Sequence, residues 1–94
     1  MIAFDSGPRF SPGPICITPN AARCVPPDDV QKALQRHLRG DWGEVDSSDC
    51  AENDRCVQDG CRLLSAYHAS NGVKFWIITE ADRSVTTVLL PEDY

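Results

Sequence analysis

Leu63-Leu64-Ser65-Ala66-Tyr67-His68, the pair Asn71-Gly72, Val73-Lys74-Phe75-Trp76-Ile77-Ile78-Thr79 and Val85-Thr86-Thr87-Val88-Leu89-Leu90 carry the reading on which the fold rests. The first run has strand composition, and the other two are rich in β-branched or aromatic side chains, which fit a pleated, half-buried surface. Asn-Gly between two such runs is the preferred pair for a two-residue type I′ turn, so the segment predicts a three-stranded antiparallel meander. The link Glu80-Ala81-Asp82-Arg83-Ser84 has ordinary hairpin length. Along the middle strand Phe75, Ile77 and Thr79 alternate with Trp76 and Ile78, which makes both faces apolar. Helices are expected to cover one face and to leave part of the other for a partner.

Upstream of the meander the pattern turns helical. Pro27-Asp28-Asp29 opens a helix, because proline fits the first turn and carboxylates there meet the positive end of the helix dipole. It is predicted over Pro27 to Leu38, with Val30, Ala33, Leu34, His37 and Leu38 on one face, Lys32, Arg36 and Arg39 on the other, and Gly40 as its stop. A second helix begins after the N-cap candidates Asp46-Ser47-Ser48-Asp49 and extends to about Gln58, before Gly60. Cys50, Asn53, Cys56 and Val57 share its inward side. Residues 1–14, dense in Gly, Pro and Ser, read as a flexible N-terminal arm. Ile15-Cys16-Ile17 can pair briefly at an edge, and Thr18-Pro19 opens a short helical turn through Ala22. The expected architecture is therefore α+β, an N-terminal loop and two short helices packed on the meander, with residues 15–94 as one domain. A chain of 94 residues has no room for a second core or a large cofactor fold.

The net charge of −5 opposes direct binding to nucleic-acid phosphates or to an anionic membrane. It is also localised. Residues 41–59 hold seven carboxylates against Arg55 alone, a local −6, and the remaining residues sum to +1. The start of the chain lacks a basic region followed by an apolar stretch, and five cysteines are an odd set for a secreted disulfide framework, so a reducing cytoplasm is the expected setting. The cysteines read as small buried hydrophobes. Cys50, Cys56 and Cys61 lack zinc-knuckle spacing, and no C-x-x-C or basic cluster marks a redox pair, so neither a metal nor a cofactor is expected.

Catalytic signatures are missing as well. Ser65 and His68 lie three apart in a strand and point to opposite faces, and His37 falls on the apolar side of its helix. There is no phosphate-binding glycine loop, H-E-x-x-H or calcium loop. The expectation is a protein that is not an enzyme. In the hairpin link, Asp82 is expected to cap the turn and Glu80 to pair with Arg83 at the surface, where such a pair is worth little.

Arg36-His37-Leu38-Arg39-Gly40-Asp41-Trp42-Gly43, Ala51-Glu52-Asn53, Arg62-Leu63-Leu64-Ser65-Ala66-Tyr67 and the stretch from Trp76 to Pro91 resemble a family of small bacterial proteins carried by plasmids, integrative elements and phages. The resemblance spans roughly residues 15 to 94, and the cysteines at 50, 56 and 61 depart from it. It implies a setting rather than an activity. Small acidic proteins of mobile elements include anti-CRISPR and anti-restriction inhibitors that occupy the nucleic-acid-binding surface of a host nuclease complex. On that reading Asp41, Trp42, Glu44, Asp46, Asp49, Glu52 and Asp54, with Glu80, Asp82 and Arg83, form the candidate partner-binding set. The partner is then a host nucleic-acid-binding defence complex. An accessory or regulatory protein of plasmid or phage maintenance, dimeric through its sheet, is the alternative, and a zinc-stabilised binding module a third.

Overall fold

The computed structural model describes residues 7–94. One sheet holds β1 (Ile15–Ile17), β2 (Leu63–His68), β3 (Lys74–Thr79) and β4 (Thr86–Leu89) in the order β1-β4-β3-β2. β2, β3 and β4 form the antiparallel meander, with Tyr67 opposite Phe75, Ser65 opposite Ile77 and Ile77 opposite Val88. β1 joins β4 in parallel, Ile15 opposite Thr86 and Ile17 opposite Val88. The fold is thus α+β with four strands rather than three. A three-residue run takes its direction from the distant strand it meets, and nothing local in Ile15-Cys16-Ile17 encodes that meeting.

Three helices precede the meander: α1 (Pro19–Cys24), α2 (Pro27–Leu38) and α3 (Ser47–Asp59). The starts of α1 and α3 and the end of α3 have local causes. The Thr18 hydroxyl accepts the Ala21 N–H at 3.2 Å, Asp46 accepts the Asp49 N–H at 2.9 Å, and Gly60 closes α3 at φ +78°. A single 3₁₀ turn, Pro91–Asp93, follows β4.

The sheet face bearing Tyr67, Phe75, Ile77 and Val88 packs against Ala21, Val25 and Ala33, with Val30 and Leu34 beside them. Burying one large apolar side chain of this kind contributes about 1.5–3 kcal/mol, and this layer is the main core. A second cluster gathers Trp42, Cys56 and Leu63 with Phe10, Val45 and Cys50. On the opposite sheet face Trp76 lies between Ala66 and Leu89, and Ile78 between Leu64 and Thr87. That row joins neither cluster; Trp76 instead meets the Tyr94 ring edge-on at 5.8 Å.

Residues 1–6 of the expected arm lie outside the described residues. From Arg9 onward the segment has no regular secondary structure but is tied down repeatedly. Arg9 N–H donates to Leu38 O at 2.8 Å, Phe10 stacks on Trp42, and Thr86 donates from its hydroxyl to Pro12 O and from its N–H to Pro14 O. The hairpin tip also differs from expectation. Ala69 and Val73 pair through the Ala69 N–H, and Gly72 alone takes positive φ, which gives a three-residue loop over Ser70, Asn71 and Gly72. Tertiary contacts select it. The Asp29 carboxylate accepts from both the N–H and the hydroxyl of Ser70, and the Asn71 amide donates to Cys24 O.

Gly43 shows how tightly the outer edge of β2 is closed. Glu44 N–H donates to Ala66 O at 2.7 Å and Ala66 N–H to Trp42 O at 3.1 Å, bringing the backbone of Gly43, at φ +74°, against β2. A Cβ there would overlap the Ala66 carbonyl oxygen and press on the Tyr67 ring. At Gly60 a Cβ would meet nothing within 4 Å, so only the positive φ resists substitution. Gly60→Ala is expected to cost about 1 kcal/mol and Gly43→Ala several times as much in urea denaturation. Equal losses would show that the edge contact does not constrain Gly43.

Candidate functional site

The acidic segment begins where α2 ends and continues along α3. Five of its seven carboxylates have a basic neighbour. Asp41 takes a two-pronged contact from Arg36 at 2.7 and 3.2 Å, Glu44 meets His68 Nδ1 at 2.7 Å, Asp54 meets Arg9 at 3.2 Å, and Arg55 lies between Glu52 and Asp59. Arg9, Arg36 and His68 lie outside the segment in sequence, so folding softens the local charge that composition suggested.

Several of these side chains have structural duties. The Arg36 guanidinium holds the Asp41 carboxyl below the usual carboxylate range, and the Gly43 N–H adds to the effect. Asp46 is depressed in the same direction by the Asp49 N–H and the Ser48 hydroxyl, the bonds of a helix cap. Asp54 accepts the Trp42 indole N–H at 3.0 Å. Trp42 itself is 3% exposed and belongs to the core, packed between Phe10 and His37. It is therefore removed from the partner-facing set.

Asp49, in no ion pair among the described residues, and Glu52, beside Arg55, lie one turn apart on α3. They line a cleft of about 240 Å³ whose other walls are Val45, Asn53, Arg62 and Leu64. Asn53 fixes this wall to the sheet. Its amide donates to Leu64 O at 2.9 Å and its carbonyl accepts the Leu64 N–H at 3.4 Å, replacing the strand that β2 lacks on this side. The cleft thus sets the Asp49 and Glu52 carboxylates and the Arg62 guanidinium beside the apolar Val45 and Leu64.

The hairpin loop lies elsewhere. Asp82 caps the turn by accepting the Ser84 N–H at 3.0 Å, while Glu80 and Asp82 contribute no side chain to the cleft. Arg83 does not pair with the Glu80 carboxylate. Held at φ +60°, it turns inward and donates to the carbonyls of Cys61 at 2.6 Å, Glu80 at 3.0 Å and Cys56 at 2.9 Å. A planar guanidinium reaches several carbonyls from one position, whereas a single carboxylate at the surface offers little in exchange. Arg83 is a clasp between the β3–β4 loop and the end of α3.

A serine–histidine contact does exist, but with a different histidine from the one weighed in the sequence. His37 Nδ1 lies 2.5 Å from Ser65 Oγ and its Nε2 2.9 Å from Thr79 Oγ1, and Thr79 Oγ1 lies 2.7 Å from Thr86 Oγ1. The chain ends on Pro12 O, which can only accept. That end fixes the direction: Thr86 donates to Pro12, Thr79 to Thr86, His37 Nε2–H to Thr79, and Ser65 to an unprotonated Nδ1. His37, Ser65, Thr79 and Thr86 are all 0% exposed. With both ring nitrogens occupied and no route to solvent, the pair offers a substrate neither a nucleophile nor a free base.

Among the described residues no group of three His, Cys, Asp or Glu side chains is placed to hold a metal ion. Nor does any described helix have the length and apolar character to cross a membrane. Compared with family models, with curated proteins and with solved structures, the chain matches none.

Burial, aided by the nearby charge of Arg83, pushes the His37 pKa down to about 4 from an ordinary 6.5. The unfolded chain takes up this proton near pH 6.5, the folded chain only near 4. The stability that depends on neutral His37 is therefore complete above about pH 6.5 and is lost as pH falls toward 4, to the extent of roughly 3 kcal/mol. Thermal melts across this range are expected to show a falling Tm, and His37→Gln to melt lower at pH 7 with a flatter profile. An unchanged slope in that variant would assign the acid sensitivity to other groups.

Proposed function

We propose that the protein is a non-catalytic protein-binding module of a mobile genetic element, and that it acts as a stoichiometric inhibitor of a host defence nuclease complex of the anti-CRISPR or anti-restriction type. The observation that carries this reading is the cleft beside α3. Its carboxylates, Asp49 and Glu52, suit the charged head of a lysine or arginine, and Val45 and Leu64 suit the methylene stem beneath it. A channel that receives nucleic-acid phosphates is lined with such side chains, and opposite charge speeds their association. The sequence resemblance supplies the mobile-element setting.

The structure separates residues that can be tested from those that cannot. Asp46 caps α3 and Asp54 holds Trp42, so reversing either disturbs folding. Asp49→Lys combined with Glu52→Lys leaves both duties intact. Tagged wild-type protein is expected to retain a nuclease-containing complex from a bacterial host lysate, to release it at high salt, and to inhibit it with an endpoint near one equivalent. The double reversal is expected to weaken retention by about tenfold or more while Tm stays close to wild type. Undiminished retention would exclude the cleft as the interface. Recovery of element-encoded proteins alone would favour an accessory role in element maintenance.

A further inference from the structure

We infer that Cys56 and Cys61 form an oxidisable dithiol, in which Cys61 attacks a hydroperoxide and Cys56 closes the disulfide. The pairing follows from how α3 ends. Gly60, at φ +78°, turns the chain back so that Cys61 N–H bonds Cys56 O at 3.3 Å, the six-to-one bond of a helix C-terminal motif in which these two side chains characteristically touch. An N···O contact of this length keeps the two α-carbons within about 7 Å, close to the reach of a disulfide. Both side chains pack in the Trp42–Leu63 cluster. Arg83 clamps the same turn by donating to both cysteine carbonyls.

The two thiols differ. Cys56 is 2% exposed and donates toward Glu52 Oε2 at 3.7 Å, whereas Cys61 is half-buried and open to small reagents. The hydrogen bond with Cys61, reinforced by burial, pushes the Cys56 thiol up to about 11. Cys56 thus keeps its proton, and Cys61, the more accessible of the two sulfurs, is the one that meets the oxidant. Its thiolate breaks the O–O bond of hydrogen peroxide, forming a sulfenic acid and releasing hydroxide. The Cys56 sulfur then attacks the sulfenic sulfur, the S–O bond breaks, and the oxygen leaves with the Cys56 proton. Overall two thiols and one peroxide give a disulfide and two waters. Cys56 can then no longer donate to Glu52, which links the redox state to one wall of the cleft.

Trypsin cleaves after Arg55 and Arg62, placing both thiols in one peptide, residues 56–62. After treatment of the folded protein with hydrogen peroxide, this peptide is expected to lose two hydrogens in mass and to resist alkylation until dithiothreitol is added. Cys61→Ser should abolish the change, and Cys56→Ala should leave a Cys61 sulfenic acid that dimedone traps. A peptide alkylated at both positions after oxidation, or disulfides joining either cysteine to Cys16, Cys24 or Cys50, would overturn the assignment.

Discussion

His37 is the side chain on which the layers depend. It projects from α2 through the apolar face of the sheet, and its two ring nitrogens meet β2 at Ser65 and β3 at Thr79. From Thr79 the hydrogen bonds continue to Thr86 of β4 and to Pro12 ahead of β1. One imidazole therefore fixes the relation between a helix, three strands and the chain's lead-in segment. A hydrophobic contact tolerates sliding; a chain of directional bonds ending on a carbonyl does not. Among the described residues every buried side-chain nitrogen and oxygen has a partner, as a polar chain inside an apolar layer requires.

The second constraint is electrostatic. A helix carrying acids next to a loop carrying acids would repel itself, and the fold brings Arg9, Arg36 and His68 from three other places to meet it. The two arginine contacts are exposed ion pairs, each worth little alone, and the His68 contact is a hydrogen bond to Glu44. Asp41, Asp46 and Asp54 serve the fold. Asp49 and Glu52 line the cleft, Glu52 with Arg55 beside it.

Much of the architecture was legible because its signals are local. The bounds of α2 follow from Pro27 and the apolar spacing to Leu38, and those of α3 from Asp46 and Gly60. The meander follows from three runs of strand composition, two of them rich in β-branched residues, and the turns between them. The candidate site was legible only as charge. Arg83 shows why: nothing around Glu80-Ala81-Asp82-Arg83 distinguishes a surface pair from a side chain turned inward, because its acceptors, the carbonyls of Cys56 and Cys61, belong to a helix end more than twenty residues away. Trp42 is similar. Its burial depends on Phe10 and His37, which pack against it from distant segments.

The amino-acid sequence by itself determined the fold class, the bounds of α2 and α3, the strand faces and the place of the negative charge, since each depends on neighbours within a few residues, whereas α1 runs past the expected Ala22 to Cys24. Only the tertiary structure decided the parallel joining of β1, the three-residue hairpin tip, the pairing of His37 with Ser65 and the division of the carboxylates between structure and cleft. These depend on which distant groups meet, and on the geometry of hydrogen bonds and ion pairs formed when they do. No local periodicity carries that information.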